Sequence, residues 1–386
     1  MQYKLSNILF FGILLQVVST QGIITFNLFK LLGDWELKSF LHPIGILVVI
    51  IYYLLKFANG GKFKYSGIDL LLFLYFTICI FILVLNVSDS SSFLFTFREV
   101  ILIFLLIFLY GQTSIPLRLW RKILGLLYIL VLGNLLFILL TYVYGPEEYM
   151  KLVTGRFIWP IDSEYKFKIS NFYVFWRSPA LIGETAAVGH FGLLSYFLFR
   201  EDEIYKRKKL FPLLLVLLTF VRSVYLVLLV FFVFRFFLKK KNLFKLEVIL
   251  PYLIPLIFLI AIPFYNFKLL SLKSIMARFD HWINDLNVKF NLFIGGAIGK
   301  VGGAVRGDGF VSTLDSYWLL MLVSTGIIGI VLIILFMKEK AADNQRMKII
   351  LISFLCAAFF VTITQSIPFL VLFPLLFIKK ETNIRT

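Results

Sequence analysis

The sequence predicts an all-α polytopic membrane protein with about twelve transmembrane helices, and three observations predict it. Of 386 residues, 60% are hydrophobic, 18% are aromatic and only 16% are charged, against about a quarter charged in an average soluble protein. The apolar residues gather in runs suited to a bilayer, whose hydrocarbon takes about 20 helical residues to cross. The formal net charge of +18 comes from Lys and Arg collected in short loops between those runs, the pattern of cytoplasmic loops in membrane proteins. In a soluble domain such a charge would suggest nucleic acid. Its confinement to inter-span loops excludes nucleic acid as the partner.

In chain order the runs are Leu5–Phe29, Phe40–Phe57, Gly67–Val87, Phe93–Tyr110, Trp120–Tyr144, Pro179–Phe199, Leu210–Val221, Ser223–Leu238, Leu246–Phe264, Leu314–Met337, Ile349–Thr364 and Pro368–Ile378. The first follows Lys4 with no small-x-small cleavage pattern, which predicts a retained helix and not a cleaved signal. Leu210–Leu238 is divided at Arg222-Ser223, because a single helix of about 29 residues would overshoot the hydrocarbon by over ~10 Å. Alternating the spans then puts Lys62 and Lys64, Arg118–Lys122, Arg200–Lys209, Lys239–Lys241, Lys338–Lys348 and Lys379–Arg385 on one side. That side is read as the cytoplasm, with both termini there.

The chain reads as one integral-membrane domain, residues 1–386, with two large external loops at about 145–178 and 265–313. Cys79 and Cys356 both lie inside apolar runs, which indicates packing and neither a disulfide framework nor a zinc site.

Both external loops are basic, against the charge rule, and three arginines stand at span ends facing away from the cytoplasm: Arg177, Arg222 and Arg278. Charge near the bilayer is costly and marks a site, and guanidinium groups suit a phosphate or another oxyanion. Arg177 precedes Pro179, which can open a helix. Glu184 would then stand about a turn and a half inside that helix, an acid within the membrane that orients an arginine or accepts a proton. Arg98 and Glu99, near the outer end of the fourth run, read as a structural pair.

In the second loop, Ala277–Leu286 is amphipathic, with Phe279, Trp282, Ile283 and Leu286 on one helical face, as expected of a segment lying at the interface. Asp280, His281 and Asp285 match no metal-ligand spacing, and no metal or cofactor is expected. The glycine-rich stretch 291–309 is not a phosphate loop, since Ile294 occupies the first required glycine position and Val301 follows Lys300. It reads as a flexible flap or lining. Asp315 stands at the start of the tenth run, a place that favours a carboxylate. Gly326 and Gly329, three apart, would let a second helix approach closely.

Four short pieces in this order resemble the bacterial O-antigen polymerase (Wzy) and O-antigen ligase superfamily. They are Arg177 to Glu184, Thr219 to Ser223 between two short spans, Arg278 with Trp282 followed by Asn291-Leu292-Phe293-Ile294-Gly295-Gly296, and Asp315 followed by Gly326 to Gly329. The resemblance implies a GT-C-like, metal-independent glycosyltransferase in the bacterial inner membrane, acting at the periplasmic face on undecaprenyl pyrophosphate-linked oligosaccharides. It implies that Arg222 and Arg278 hold the lipid pyrophosphate, and Arg177 matches a further position of the family at the mouth of the sixth span; from their chemistry, Arg177 and Trp282 are expected to contact substrate and Asp315 or Glu184 to serve as the base. A flippase and a chain-length regulator are the implied protein partners, and membrane lipids surround the protein. Ligases of the superfamily carry a His where this chain has Asp315, and His190 lies too deep in its span to replace it. The polymerase branch is therefore favoured over ligation to a lipid A core. A lipid-linked oligosaccharide flippase is the rival class, but transporters place polar sites near the midplane, often in two related halves.

Overall fold

The computed structural model describes residues 2–33, 38–154, 171–172, 175–238, 280, 282–283, 288–302, 316–342, 344–359 and 361–381. The ninth run, most of both external loops, Arg278 and Asp315 lie outside the described residues. The chain divides into two compact units, one of Met1–Lys64, Leu106–Val221 and Ser366–Thr386, the other of Tyr65–Leu105 and Arg222–Gln365.

The described chain is predominantly helical, and five helices are long and apolar enough to cross a membrane: Leu41–Ala58, Gly67–Asn86, Ser90–Gly111, Leu117–Tyr144 and Tyr317–Lys340. The first run is not one straight helix. It forms Gln2–Ser19 and Gly22–Leu31, bent by 96° at Thr20-Gln21, and counts as a sixth crossing if the pair is one span. The other described runs form shorter helices, Thr185–Arg200, Leu210–Thr219, Arg222–Leu238, Gln345–Ala357 and Ile367–Leu375. The 10-residue Leu210–Thr219 helix is about 15 Å long, half the hydrocarbon thickness.

The first unit is built around Thr185–Arg200, in which every residue from Ala187 to Phe199 is buried. A helix that is apolar all round must be enclosed, and Leu117–Tyr144, Leu210–Thr219 and Ile367–Leu375 pack against it. His190, at its centre, is buried with its ring edge-on to Phe369. Gln2–Ser19 and Lys38–Ala58 meet through two glycines: a Cβ on Gly12 would lie 2.9 Å from Val49 Cγ2, and one on Gly45 would lie 3.1 Å from Gly12 O. Small residues let membrane helices approach to this distance.

Polar ties gather several basic clusters of this unit at one place. Lys64 N–H donates to Gln112 Oε1 at 3.1 Å, and Ser114–Pro116 pairs in parallel with Lys379–Glu381. Arg121 Nε sits 3.3 Å from Asp202 Oδ2 and Lys380 Nζ 3.3 Å from Glu201 Oε2. These are four of the clusters that the charge reading assigns to one membrane side.

In the second unit Gly67–Asn86 is the organising helix. Ser66 and Asp69 form a reciprocal capping box at its start, and Asp69 also pairs with Lys340 Nζ at 2.7 Å while Ser66 Oγ donates to Glu339 Oε2 at 2.9 Å. The start of one long helix is thereby tied to the end of another. Leu72, Phe76, Cys79 and Leu83 are buried, whereas Leu71, Leu74, Ile78, Phe81 and Leu85 are exposed. A helix whose outward face is as apolar as its packed face fits a lipid surround and not water.

Candidate functional site

Arg177 and Glu184 bracket a doubled-back segment in the first unit. A two-residue antiparallel pairing of Asn171–Phe172 with Phe175–Trp176 leads into it. Ala180 and Gly183 have φ of 44° and 90°, left-handed values that turn the chain before the helix begins at Thr185. Pro179 therefore does not open the helix. Glu184 is its N-cap residue and is exposed, where the sequence reading expected a carboxylate a turn and a half inside.

Side chains distant in sequence hold this segment. Leu181 N–H donates to Asn134 Oδ1 at 3.1 Å, and Asn134 Nδ2 donates to Gln21 Oε1 at 2.8 Å. Ile23 N–H donates to Leu181 O at 2.9 Å, so the bend at Thr20-Gln21 delivers the Gly22–Leu31 helix onto the segment. Gly22 is required there because a Cβ would stand 2.5 Å from Ile182 O. Thr141 Oγ1 and Ser178 Oγ are 2.6 Å apart, and Ser178 Oγ accepts from Ala180 N–H at 3.1 Å. Tyr149, on the amphipathic helix Pro146–Thr154, donates its hydroxyl to Ala180 O at 2.7 Å. Burial pushes that phenol's pKa up, so it remains a neutral donor. Arg177 is half-buried and its carbonyl accepts from Thr185 Oγ1 at 3.3 Å.

These bonds satisfy a non-helical backbone that lies among apolar helices, a setting in which unpaired backbone groups would be costly. Asn134→Ala is expected to cost about 1–3 kcal/mol for each buried partner left unpaired, here Leu181 N–H and Gln21 Oε1, and to lower the Tm of the purified protein. An unchanged Tm would show that the segment is held by other contacts.

The second unit contains a broken helix. Within Tyr317–Lys340, Gly326 has φ 65° and ψ −174°, and the backbone groups released there are taken up by the turn 291–297. Ile327 and Ile328 N–H donate to Leu292 O and Phe293 O at 3.0 and 3.1 Å, while Gly296 and Ala297 N–H donate to Ser324 O and Val323 O, both at 3.2 Å. The Tyr75 hydroxyl donates to Thr325 O at 2.6 Å, and Asn86 Nδ2 donates to Gly296 O and Ile298 O at 3.0 and 2.9 Å. Gly326 admits a loop and not the second helix that the sequence suggested, whereas Gly329 lies against Tyr75 of the Gly67–Asn86 helix, which packs on Tyr317–Lys340. Residues 291–297 likewise form a pinned plug, not a loose flap. Tyr75→Phe is expected to lower the Tm by a few degrees, the scale of about 1 kcal/mol, and Tyr75→Trp by more. No change with Phe would exclude the bond to Thr325 as a stabilising contact.

Arg222 is the first residue of Arg222–Leu238 and is half-buried, following Phe220 with φ 51°. The predicted interruption of Leu210–Leu238 is thus present. Trp282 is half-buried on a short helical piece. Ser316 caps Tyr317–Lys340, its side chain accepting from Leu319 N–H at 3.4 Å. Glu99, near the outer end of the fourth run in sequence, is buried at the tenth of the 22 residues of Ser90–Gly111. The sequence reading did not single out Gln21, Asn134, Tyr75 or Asn86. Their signal was present, as polar side chains inside apolar runs. No family model, curated protein or solved structure matches the chain.

Proposed function

We propose that this chain is an oligosaccharide repeat-unit polymerase of surface polysaccharide synthesis, O-antigen or capsule. It transfers a glycan from an undecaprenyl pyrophosphate carrier to the end of another lipid-linked repeat unit. In this reading it is a GT-C-like protein of the bacterial inner membrane with twelve spans, both termini cytoplasmic and the active site at the periplasmic or external face. The observation that supports it most is the Arg177–Glu184 segment: an arginine and a carboxylate seven residues apart on a turn that buried side chains hold fixed. A site that must not reorganise during reaction needs such support.

Arg222 starts a helix, where the dipole disfavours a cation. Helix end and guanidinium together favour an anion there. Arg222 and Arg278 grip the pyrophosphate and stabilise the charge that develops as it leaves, while Arg177 and Trp282 bind the adjoining glycan. The acceptor hydroxyl oxygen bonds to the donor's anomeric carbon, and the bond from that carbon to the pyrophosphate oxygen breaks with its electron pair. Asp315 or Glu184 takes the hydroxyl proton.

The kink at Gly326 and the 96° bend at Thr20-Gln21 favour a second reading, a lipid-linked oligosaccharide transporter, since discontinuous helices are a hallmark of transporters. Purified protein supplied with lipid-linked repeat units decides among the readings. A ladder of polymer is expected. Transfer only when lipid A core is added would instead identify a ligase, and movement across vesicles without a new glycosidic bond a transporter.

A further inference from the structure

Four cations of the first unit, Arg118, Lys122, Lys206 and Arg207, have no part in the proposed reaction. All four are exposed, and their side chains have no hydrogen bond or ion pair among the described residues. The acids nearby are engaged elsewhere: Asp202 is paired with Arg121, Glu201 with Lys380, and Glu381 accepts from the Ser114 hydroxyl. Glu203 remains, one exposed acid beside four cations.

The cations stand on two elements that are locked together. The helical turn Tyr205–Lys209 is anchored by Asp202, whose Oδ1 accepts from Ile204 N–H at 2.9 Å and Tyr205 N–H at 3.2 Å. The Tyr205 hydroxyl donates to Arg121 O at 3.3 Å and lies over Gly125, where a Cβ would stand 3.0 Å from it. Lys208 Nζ sits 4.3 Å from the centre of the Tyr128 ring and 5.1 Å from that of Tyr205, cation–π contacts that fix its position. Arg118 and Lys122, one helical turn apart, lie on the face next to Arg121, Gly125 and Tyr128. The two cation pairs thus flank one place, where Leu117–Tyr144 and the turn leading into Leu210–Thr219 both begin.

Beyond the cations both helices present apolar side chains outward. Ile129, 65% exposed, and Leu136 continue the Arg118–Lys122 face at helical spacing. On the other wall Leu210, Phe211 and Leu214 are exposed, and Phe211 meets Tyr128 edge-on with 5.6 Å between ring centres. A surface that is cationic at one end and apolar along its length fits an amphiphile with an anionic head, and uncompensated Arg and Lys suit phosphate oxygens. A free anion would use the cations and leave the apolar walls bare.

We propose that the seam between Leu117–Tyr144 and Leu210–Thr219 holds an anionic phospholipid of the surrounding bilayer. Its phosphate lies between Arg118 and Lys122 on one side and Lys206 and Arg207 on the other, and its acyl chains run along Ile129, Phe211 and Leu214. The lipid ties the start of the short Leu210–Thr219 helix to that of a membrane-length one. It does not depend on the polymerase reading and can be tested without substrate.

The test is thermal unfolding of the purified full-length protein in a neutral detergent, titrated with phosphatidylglycerol or with phosphatidylcholine of the same acyl chains. Wild type is expected to show a saturable rise in Tm with phosphatidylglycerol alone. Lys206→Gln combined with Arg207→Gln is expected to raise the half-saturating lipid fraction by about 30-fold, about fivefold for each cation near an anionic lipid surface. Lys338→Gln combined with Lys348→Gln, which removes the same charge from exposed positions of the second unit, is expected to leave it unchanged. An equal rise with phosphatidylcholine overturns the proposal, as does an equal rise with inorganic phosphate. So does an unshifted half-saturation in the first variant, or a shift as large in the second. If the first variant does not fold, Arg118→Gln combined with Lys122→Gln replaces it, and an unshifted half-saturation there overturns the proposal.

Discussion

Gly326→Val is expected to abolish accumulation of folded protein in the membrane. The backbone at Gly326, φ 65° and ψ −174°, lies in a region that is open essentially to glycine alone, and forcing another residue there costs about 1–3 kcal/mol. A side chain adds a collision, since even a Cβ would press on the carbonyl and the following nitrogen at Phe293 and Ile294. Relief of that collision would require the 291–297 turn to withdraw. Ile327 and Ile328 N–H and the Val323 and Ser324 carbonyls would then be unpaired inside an apolar unit, each at several kcal/mol in hydrocarbon. The sum exceeds the ~5–15 kcal/mol by which a typical domain is stable. Gly67→Ala, in the same unit, is the control: a Cβ there would meet nothing within 4 Å. The measurement is the yield of monodisperse protein after mild detergent extraction. Wild-type yield from Gly326→Val would mean that the helix can run straight through this position.

The contrast between Gly326 and its surroundings shows what was legible in the sequence. Long apolar runs translate directly into helices, because backbone groups in an apolar setting must be satisfied within the segment. Gly67–Val87 was expected and Gly67–Asn86 is found; Trp120–Tyr144 was expected and Leu117–Tyr144 is found. The division of Leu210–Leu238 was legible too, because Arg222 interrupts the hydropathy. The irregular backbone was not. The bend at Thr20-Gln21 is stabilised by Asn134, the turn after Arg177 by Thr141 and Tyr149, and the break at Gly326 by residues 291–297. Each partner lies far along the chain, so no local pattern encodes the feature. The π turn at Arg98–Leu102 is of the same kind, as nothing in Phe97-Arg98-Glu99-Val100 departs from a helical sequence.

The candidate site divides along the same line. Arg177, Glu184 and Arg222 drew attention through their chemistry, and all three occur where regular structure starts or stops. Side-chain chemistry alone does not give the supporting groups. Gln21 and Asn134 are uncharged, and their value lies in a hydrogen-bonded chain from the bent first helix pair to Leu181. The same chain explains why Glu184 is exposed: the turn at Ala180 and Gly183 consumes the residues that a helix opened by Pro179 would have used.

Arg222→Ala and Arg278→Ala are expected to leave the protein in the membrane and to reduce polymer formation by at least about 100-fold each, the scale for loss of one positioned donor to a developing anion. The argument turns on where charge appears. As the glycosidic bond to the carrier breaks, negative charge moves onto the bridging pyrophosphate oxygen, and a guanidinium beside it lowers the barrier more than it strengthens ground-state binding. The loss should therefore appear in kcat as well as in KM. Arg222→Lys retains the charge but not the planar fork that engages two phosphate oxygens at once, so its activity should lie between wild type and alanine. Arg222 is half-buried at a helix start, and equal abundance of folded protein in the membrane separates a loss of reaction from a loss of fold. Wild-type chain lengths from either alanine variant, at equal protein abundance, would remove that arginine's pyrophosphate role from the proposed reaction. A loss that lysine fully rescues would assign the residue a charge role without bidentate recognition.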